Sequence, residues 1–233
     1  MRSQISMWML TKFAMVFFIS ALALILFAFV KTESETLCSS QAETVAKSVS
    51  QGINSVLNLP AEDYRVIVPL ESSLSIGRSD FVRYSVNITN LATGKIAVLG
   101  TKVSTGSFSI YVRADAKGCD SGSSSPYENM VVHLIGQDRG IKNIGGTDRT
   151  VLQLFPSHPY QKSYYAVIIK CREKYWPPPT ASVKTPLKHL FVIDCKKSNV
   201  EECDKLDTAY IDKCCGWSGD WSIIRNNALC NGE

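Results

Sequence analysis

Phe13 to Val30 is a run of eighteen residues in which no side chain is more polar than Ser20. As a helix it spans roughly 27 Å, enough to cross the hydrocarbon core of a bilayer with little tilt. The run is longer than the apolar region of a cleavable secretory signal, and no small-x-small site separates it from Lys31. No face of it is polar, which argues against a helix lying on a soluble core. The expectation is a transmembrane helix over residues 13–30. Arg2 and Lys12 precede it, while Lys31 is followed at once by Glu33 and Glu35, so residues 1–12 are expected in the cytoplasm and the rest outside.

Composition supports an exported head. The formal charge is +4 for the whole chain and falls to +2 without residues 1–30, which carry Arg2 and Lys12 and no acidic residue. Nothing in that balance points to nucleic acid. All eight cysteines, Cys38, Cys119, Cys171, Cys195, Cys203, Cys214, Cys215 and Cys230, follow the apolar run. An even number on the exported side reads as a disulfide framework. Eight cysteines allow 105 complete pairings, so connectivity stays open. Adjacent Cys214 and Cys215 are expected to bridge to different partners, and Cys38 can reach either its own head or a neighbouring chain.

Beyond the span, Ala42, Val45, Ala46, Val49, Ile53, Val56 and Leu57 recur at three- and four-residue intervals up to Pro60. That spacing predicts an amphipathic helix over residues 31–59, continuous with the span and stopped by the proline. Its stripe, centred on Val45, Val49, Ile53 and Val56, is expected to pack on the head. Alternation then predicts strands at Tyr64–Leu70 and Val82–Thr89, followed by Ile96–Val103 and Phe108–Val112 beyond hairpin breaks at Thr93-Gly94 and Thr105-Gly106. The Ser/Gly-rich run Asp120–Pro126 reads as a surface loop. Further strands are expected at Met130–Ile135, Val151–Phe155, Tyr164–Lys170 and Leu190–Ile193. Trp176-Pro177-Pro178-Pro179 reads as a stiff connector.

Motifs that carry chemistry are sparse. His133, His158 and His189 stand on or beside predicted strands and turns, none at a metal-ligand interval from another. No nucleophile-elbow, zincin or phosphate-loop pattern is present, and the cysteine spacings do not form zinc knuckles. No enzymatic activity, cofactor, metal or small-molecule substrate is therefore expected. Asn87-Ile88-Thr89 is a glycosylation sequon whose asparagine falls on the polar face of its strand.

The first residues, Met1-Arg2-Ser3-Gln4-Ile5-Ser6, form a short basic leader followed by Gln-Ile-Ser and an apolar helix that runs into an amphipathic one. Residues 1–58 thereby resemble the class III signal of archaeal type IV pilins and archaellins. The resemblance implies cleavage between Ser3 and Gln4 by a membrane peptidase, and a filament core of bundled apolar helices with β-rich heads outside. Ser3 stands where that family usually has glycine or alanine. Trp8, not glutamate, is the fifth residue from Gln4, and Lys12 places a charge early in the helix.

The expected fold is α+β: a long N-terminal transmembrane-plus-amphipathic helix packed on a mainly antiparallel β head with a disulfide-rich C-terminal tail. The expected divisions are 1–12 leader or cytoplasmic N-terminus, 13–30 span, 31–59 stalk, 60–195 β-rich extracellular domain and 196–233 tail. The expected function is that of a non-enzymatic surface protein, a pilin-like filament subunit or minor pilin, whose partners are the lipid bilayer and other subunits met through the N-terminal helix. The alternative is a single-pass anchored ectodomain that does not polymerise, an adhesin or a subunit of an envelope complex.

Overall fold

The structure, a computed structural model, describes residues 2–75, 81–98, 101–116, 118–136, 151–156, 164–175, 186–195, 203 and 214–218. The Trp176–Pro179 connector, His158, Cys230 and most of the tail lie outside them. The chain is α+β, a long N-terminal helix with a mixed, mainly antiparallel sheet. Helix α1 runs unbroken over Arg2–Asn58; the next two residues are Leu59 and Pro60, and a residue before proline is driven out of helical geometry.

Eleven strands follow among the described residues: β1 Tyr64–Leu70, β2 Leu74–Ser75, β3 Phe81–Val82, β4 Tyr84–Val98, β5 Thr101–Ala114, β6 Ser121–Ile135, β7 Val151–Leu154, β8 Tyr164–Arg172, β9 Lys174–Tyr175, β10 Lys188–Cys195 and β11 Trp217–Ser218. Seven of them form one sheet in the order β1-β8-β10-β6-β5-β4-β7. Every neighbouring pair in it is antiparallel except β10 with β6.

Three expectations from the sequence are corrected by the fold. The expected three-stranded meander is one long hairpin, because Thr93-Gly94 and Thr105-Gly106 pair with each other instead of turning the chain: Ala92 lies opposite Gly106 and Gly94 opposite Thr105. Thr93 is thus the extra residue of a β-bulge, a common use of glycine-containing breaks inside strands. The Ser/Gly-rich run is likewise no loop. Ser121–Pro126 is the first part of β6 and pairs with Ser107–Val112 of β5. Its buried side chain is Ser125, and the small residue lets the helix come close there. The strand expected to begin at Val82 is interrupted at Arg83, so that Val82 belongs to β3.

A second bulge sets which face each part of β6 presents. Ser104 pairs with Met130 and Gly106 with Tyr127, so β6 carries one residue more than β5 over this interval. Asn129 takes it up with φ 50°, a left-handed conformation that asparagine tolerates better than most residues. Before the bulge Ser125 and Tyr127 face the helix; after it Met130, Val132 and Leu134 do, and Val131, His133 and Ile135 turn to the opposite face.

The main core lies between α1 and the sheet, with Cys38, Ala42, Ala46, Val49, Ile53 and Val56 packed on Val68, Ile88, Phe108, Ile110, Ile168 and Leu190. A second, smaller core covers the other face, where Val167, Ile169, Phe191 and Ile193 meet Cys171, Cys195, Cys203, Cys214 and Cys215.

Candidate functional site

Two halves of α1 differ sharply in surroundings. Among its described side chains from Met7 to Val30, all are exposed except half-buried Ala21; Phe13, Phe17 and Phe27 are 75%, 78% and 74% exposed. This is the one helix among the described residues long and apolar enough to cross a membrane. Its few hydroxyls are satisfied within the helix: Ser20 Oγ donates to the Val16 carbonyl at 2.9 Å and Thr11 Oγ1 to the Met7 carbonyl at 2.7 Å. No side-chain donor of the apolar run is thereby left for water to satisfy. At its N-terminal end Lys12 Nζ stands 5.5 Å from the centroid of the Trp8 ring, a cation–π pair of the type suited to a headgroup boundary.

The second half of α1 is mounted on the head in three ways. The first is apolar: Val49, Ile53 and Val56 are fully buried against the sheet and Val45 is half-buried on the same cluster. Each fully buried side chain is worth roughly 1.5–3 kcal/mol. Gly52 brings the backbones together, since a Cβ there would stand 2.6 Å from Val68 Cγ2 and 3.0 Å from Ile168 Cδ1. Ser50 Oγ and Ser125 Oγ share a buried hydrogen bond of 2.7 Å across the same contact.

The second attachment is covalent. Cys38 pairs with Cys119 of its own chain, joining the helix to the β5–β6 connection across 81 residues of sequence. On the far face Cys171 pairs with Cys215 and Cys195 with Cys203. Cys214 is also disulfide-bonded, and since Cys215 is joined to Cys171 the adjacent cysteines do not bridge each other.

The third is electrostatic, and sequence reasoning missed it. The last turn of α1 holds no basic residue, yet Lys170 of β8 donates from Nζ to the Leu59 carbonyl at 2.5 Å, where a cation complements the helix dipole. Burial, with Lys188 nearby, lowers the Lys170 pKa from its usual value. Arg172 reaches Glu62 at 2.7 Å and Lys174 is paired with Asp63. Alternate residues running from β8 into β9 therefore clasp the α1–β1 connection. The period-two spacing Lys170-x-Arg172-x-Lys174 and the acidic pair behind the helix were the available signal.

A buried polar chain occupies the opposite face of the sheet. Glu173 Oε2 accepts from the Leu187 amide at 3.0 Å, Glu173 Oε1 meets His189 Nε2 at 3.1 Å, and His189 Nδ1 meets His133 Nε2 at 3.0 Å. His133, His189 and Glu173 are 1%, 0% and 3% exposed, and the His133 ring stacks on Phe191 at 4.3 Å. The two histidines are 56 residues apart in sequence. Their signal was position: His133 shares alternation with Val131 and Ile135, and His189 with Phe191 and Ile193.

The remaining sequence candidates are scattered. Asn87 lies on the face away from α1, half-buried, its Oδ1 enclosed and without a hydrogen-bond partner among the described residues. Ser3 and Gln4 lie in the first turn of α1. No three His, Cys, Asp or Glu side chains among the described residues are grouped to hold a metal ion. No family model, no curated protein and no solved structure matches this chain.

Proposed function

We propose that this chain is a single-span surface protein of type IV pilin kind, its N-terminus cytoplasmic and its disulfide-bonded head outside. In this reading the apolar half of α1 is held first by the bilayer and then by equivalent helices of other subunits. The observation that carries it is the contrast within one unbroken helix, where Met7–Val30 is exposed and Cys38–Val56 is locked to a head. A helix apolar on every side suits lipid and a bundle of its own copies equally well. Cysteine pairing in the head supports an oxidising compartment on that side.

The Trp8–Lys12 contact favours a second reading, a permanently anchored ectodomain that does not polymerise, because a lysine cation over an indole ring fits a headgroup layer better than a filament core. Mass spectrometry of the N-terminus of protein taken from native membranes separates the two. The pilin reading expects a chain beginning at Gln4, and the fixed-anchor reading a chain that keeps Met1. A mature start beyond Val30 would remove the span and refute both.

A further inference from the structure

An ionised Glu173 sets the proton positions along the Glu173–His189–His133 chain. The Leu187 amide donates to Glu173 Oε2; with Glu173 as the carboxylate, Oε1 accepts from His189 Nε2, and His189 presents a lone pair at Nδ1. His133 fills that acceptor with its Nε2 proton. His133 Nδ1 is left as a lone pair, fully buried and without a partner among the described residues. We propose that this chain is a one-proton acid sensor that holds β6 against β10 while His133 Nδ1 is unprotonated and loosens that joint when it takes up a proton.

The consequence does not depend on where the added proton settles. If it stays on His133, an imidazolium is buried with its Nδ1 proton facing no acceptor. If the Nε2 proton passes on to His189, that ring becomes an imidazolium paired with Glu173, and His133 is neutral but again carries a proton on Nδ1. In both cases a buried acceptor has become a buried donor with nothing to bond, and such a group is costly unless the packing around it opens. The packing at stake is the stack of His133 on Phe191 and the parallel joint from Lys188–Met130 to Ile193–Ile135.

Among the described residues the titratable groups of this hydrogen-bonded chain are these three, from β6, from β10 and from the residue after β8, while Tyr165 and Arg65 lie on the same face toward β1. Lys170 turns to the Leu59 carbonyl, Asp194 to Tyr164 on the helix side, and Arg172 and Lys174 to the α1–β1 connection. Burial first, then repulsion from His189 when that ring is also protonated, holds the His133 pKa well below the usual 6.5. A histidine depressed in the folded state contributes stability that is complete above its unfolded value and is lost as pH falls below it. The window therefore opens below about pH 6.5.

The test is hydrogen exchange of Lys188–Cys195 in the full-length oxidised protein in detergent, from pH 7.5 to 5.5, with the intrinsic pH dependence of exchange divided out. Protection should fall roughly tenfold per pH unit below about 6.5, one proton's worth. In His133→Gln, whose amide can still donate to His189 without titrating, protection should be flat with pH; His133→Phe, which keeps the stack on Phe191, gives the same reading if the first variant folds poorly. Equal slopes in wild type and variant, a flat wild-type profile, or protection that rises on acidification would each overturn the proposal.

Discussion

Gly106 lies hard against the β4 backbone: a Cβ on it would stand 2.2 Å from the Leu91 carbonyl oxygen and 2.8 Å from Ala92 Cα. Those atoms are backbone and cannot rotate away. Gly94, nearly opposite on the same hairpin, has nothing within 4 Å of such a Cβ. Gly106→Ala should therefore destabilise the head by about 2 kcal/mol or more, as overpacking against fixed atoms does, while Gly94→Ala should stay within about 0.5 kcal/mol. Urea unfolding of the two variants measures this, and equal midpoints would show that the double bulge tolerates a side chain. The sequence presented these two glycines identically, each after a threonine and between apolar runs. What separates a turn from a bulge is which residues pair across the strands, a long-range fact that no local pattern carries. Gly52 is comparable: glycine is a poor helix former, whereas in the fold its missing side chain makes room for Val68 and Ile168 of the sheet.

At the scale of elements, three- and four-residue spacing delimits the helix well because the same stripe that builds it also buries it. Val49 is fully buried and Lys47, two residues away, is exposed in an ion pair with Glu43 at 2.6 Å. Val49→Asp must bury an unpaired carboxylate or separate helix from sheet, at a cost of about 3–5 kcal/mol. Lys47→Asp forfeits one exposed pair and adds mild like-charge repulsion, a few tenths of a kcal/mol. A glutamate-specific protease in detergent should cut Val49→Asp within Leu59–Asp63 much faster than it cuts wild type or Lys47→Asp. Equal rates for the two variants would mean that the stripe contributes little to holding the head. Strands were legible wherever apolar and polar residues alternate, as in β1, and illegible where serines form the strand, as at Ser121–Pro126. Serine favours turns because its hydroxyl competes for the backbone, but Ser125 spends its hydrogen bonds on Ser50 of the helix. The buried histidine pair was hidden for a related reason, since one inserted residue at Asn129 decides which face His133 meets.

The whole molecule is a long helix, apolar in its first half, joined to a head by the Cys38–Cys119 bridge, and that arrangement can be read out in a single experiment. Leu59, Pro60, Ala61, Glu62 and Asp63 are exposed between α1 and β1; a cut there falls between Cys38 and Cys119, which are bonded to each other. With the head outside, glutamate-specific protease added to intact cells should nick the chain at Glu62 without releasing it. The N-terminal piece stays in the bilayer through residues 13–30, and the Cys38–Cys119 bond, helped by the buried stripe, keeps the head attached. Adding a reductant with mild urea should then free the head into the supernatant, whereas urea alone should not, because weakening the apolar contact leaves the covalent one. Release by urea without reductant would show that Cys38 and Cys119 are not joined in the native membrane. Protection of the head in intact cells, with cleavage in inverted vesicles, would reverse the orientation and take the pilin reading with it, since a head on the cytoplasmic side could neither keep its disulfides nor stand outside a filament.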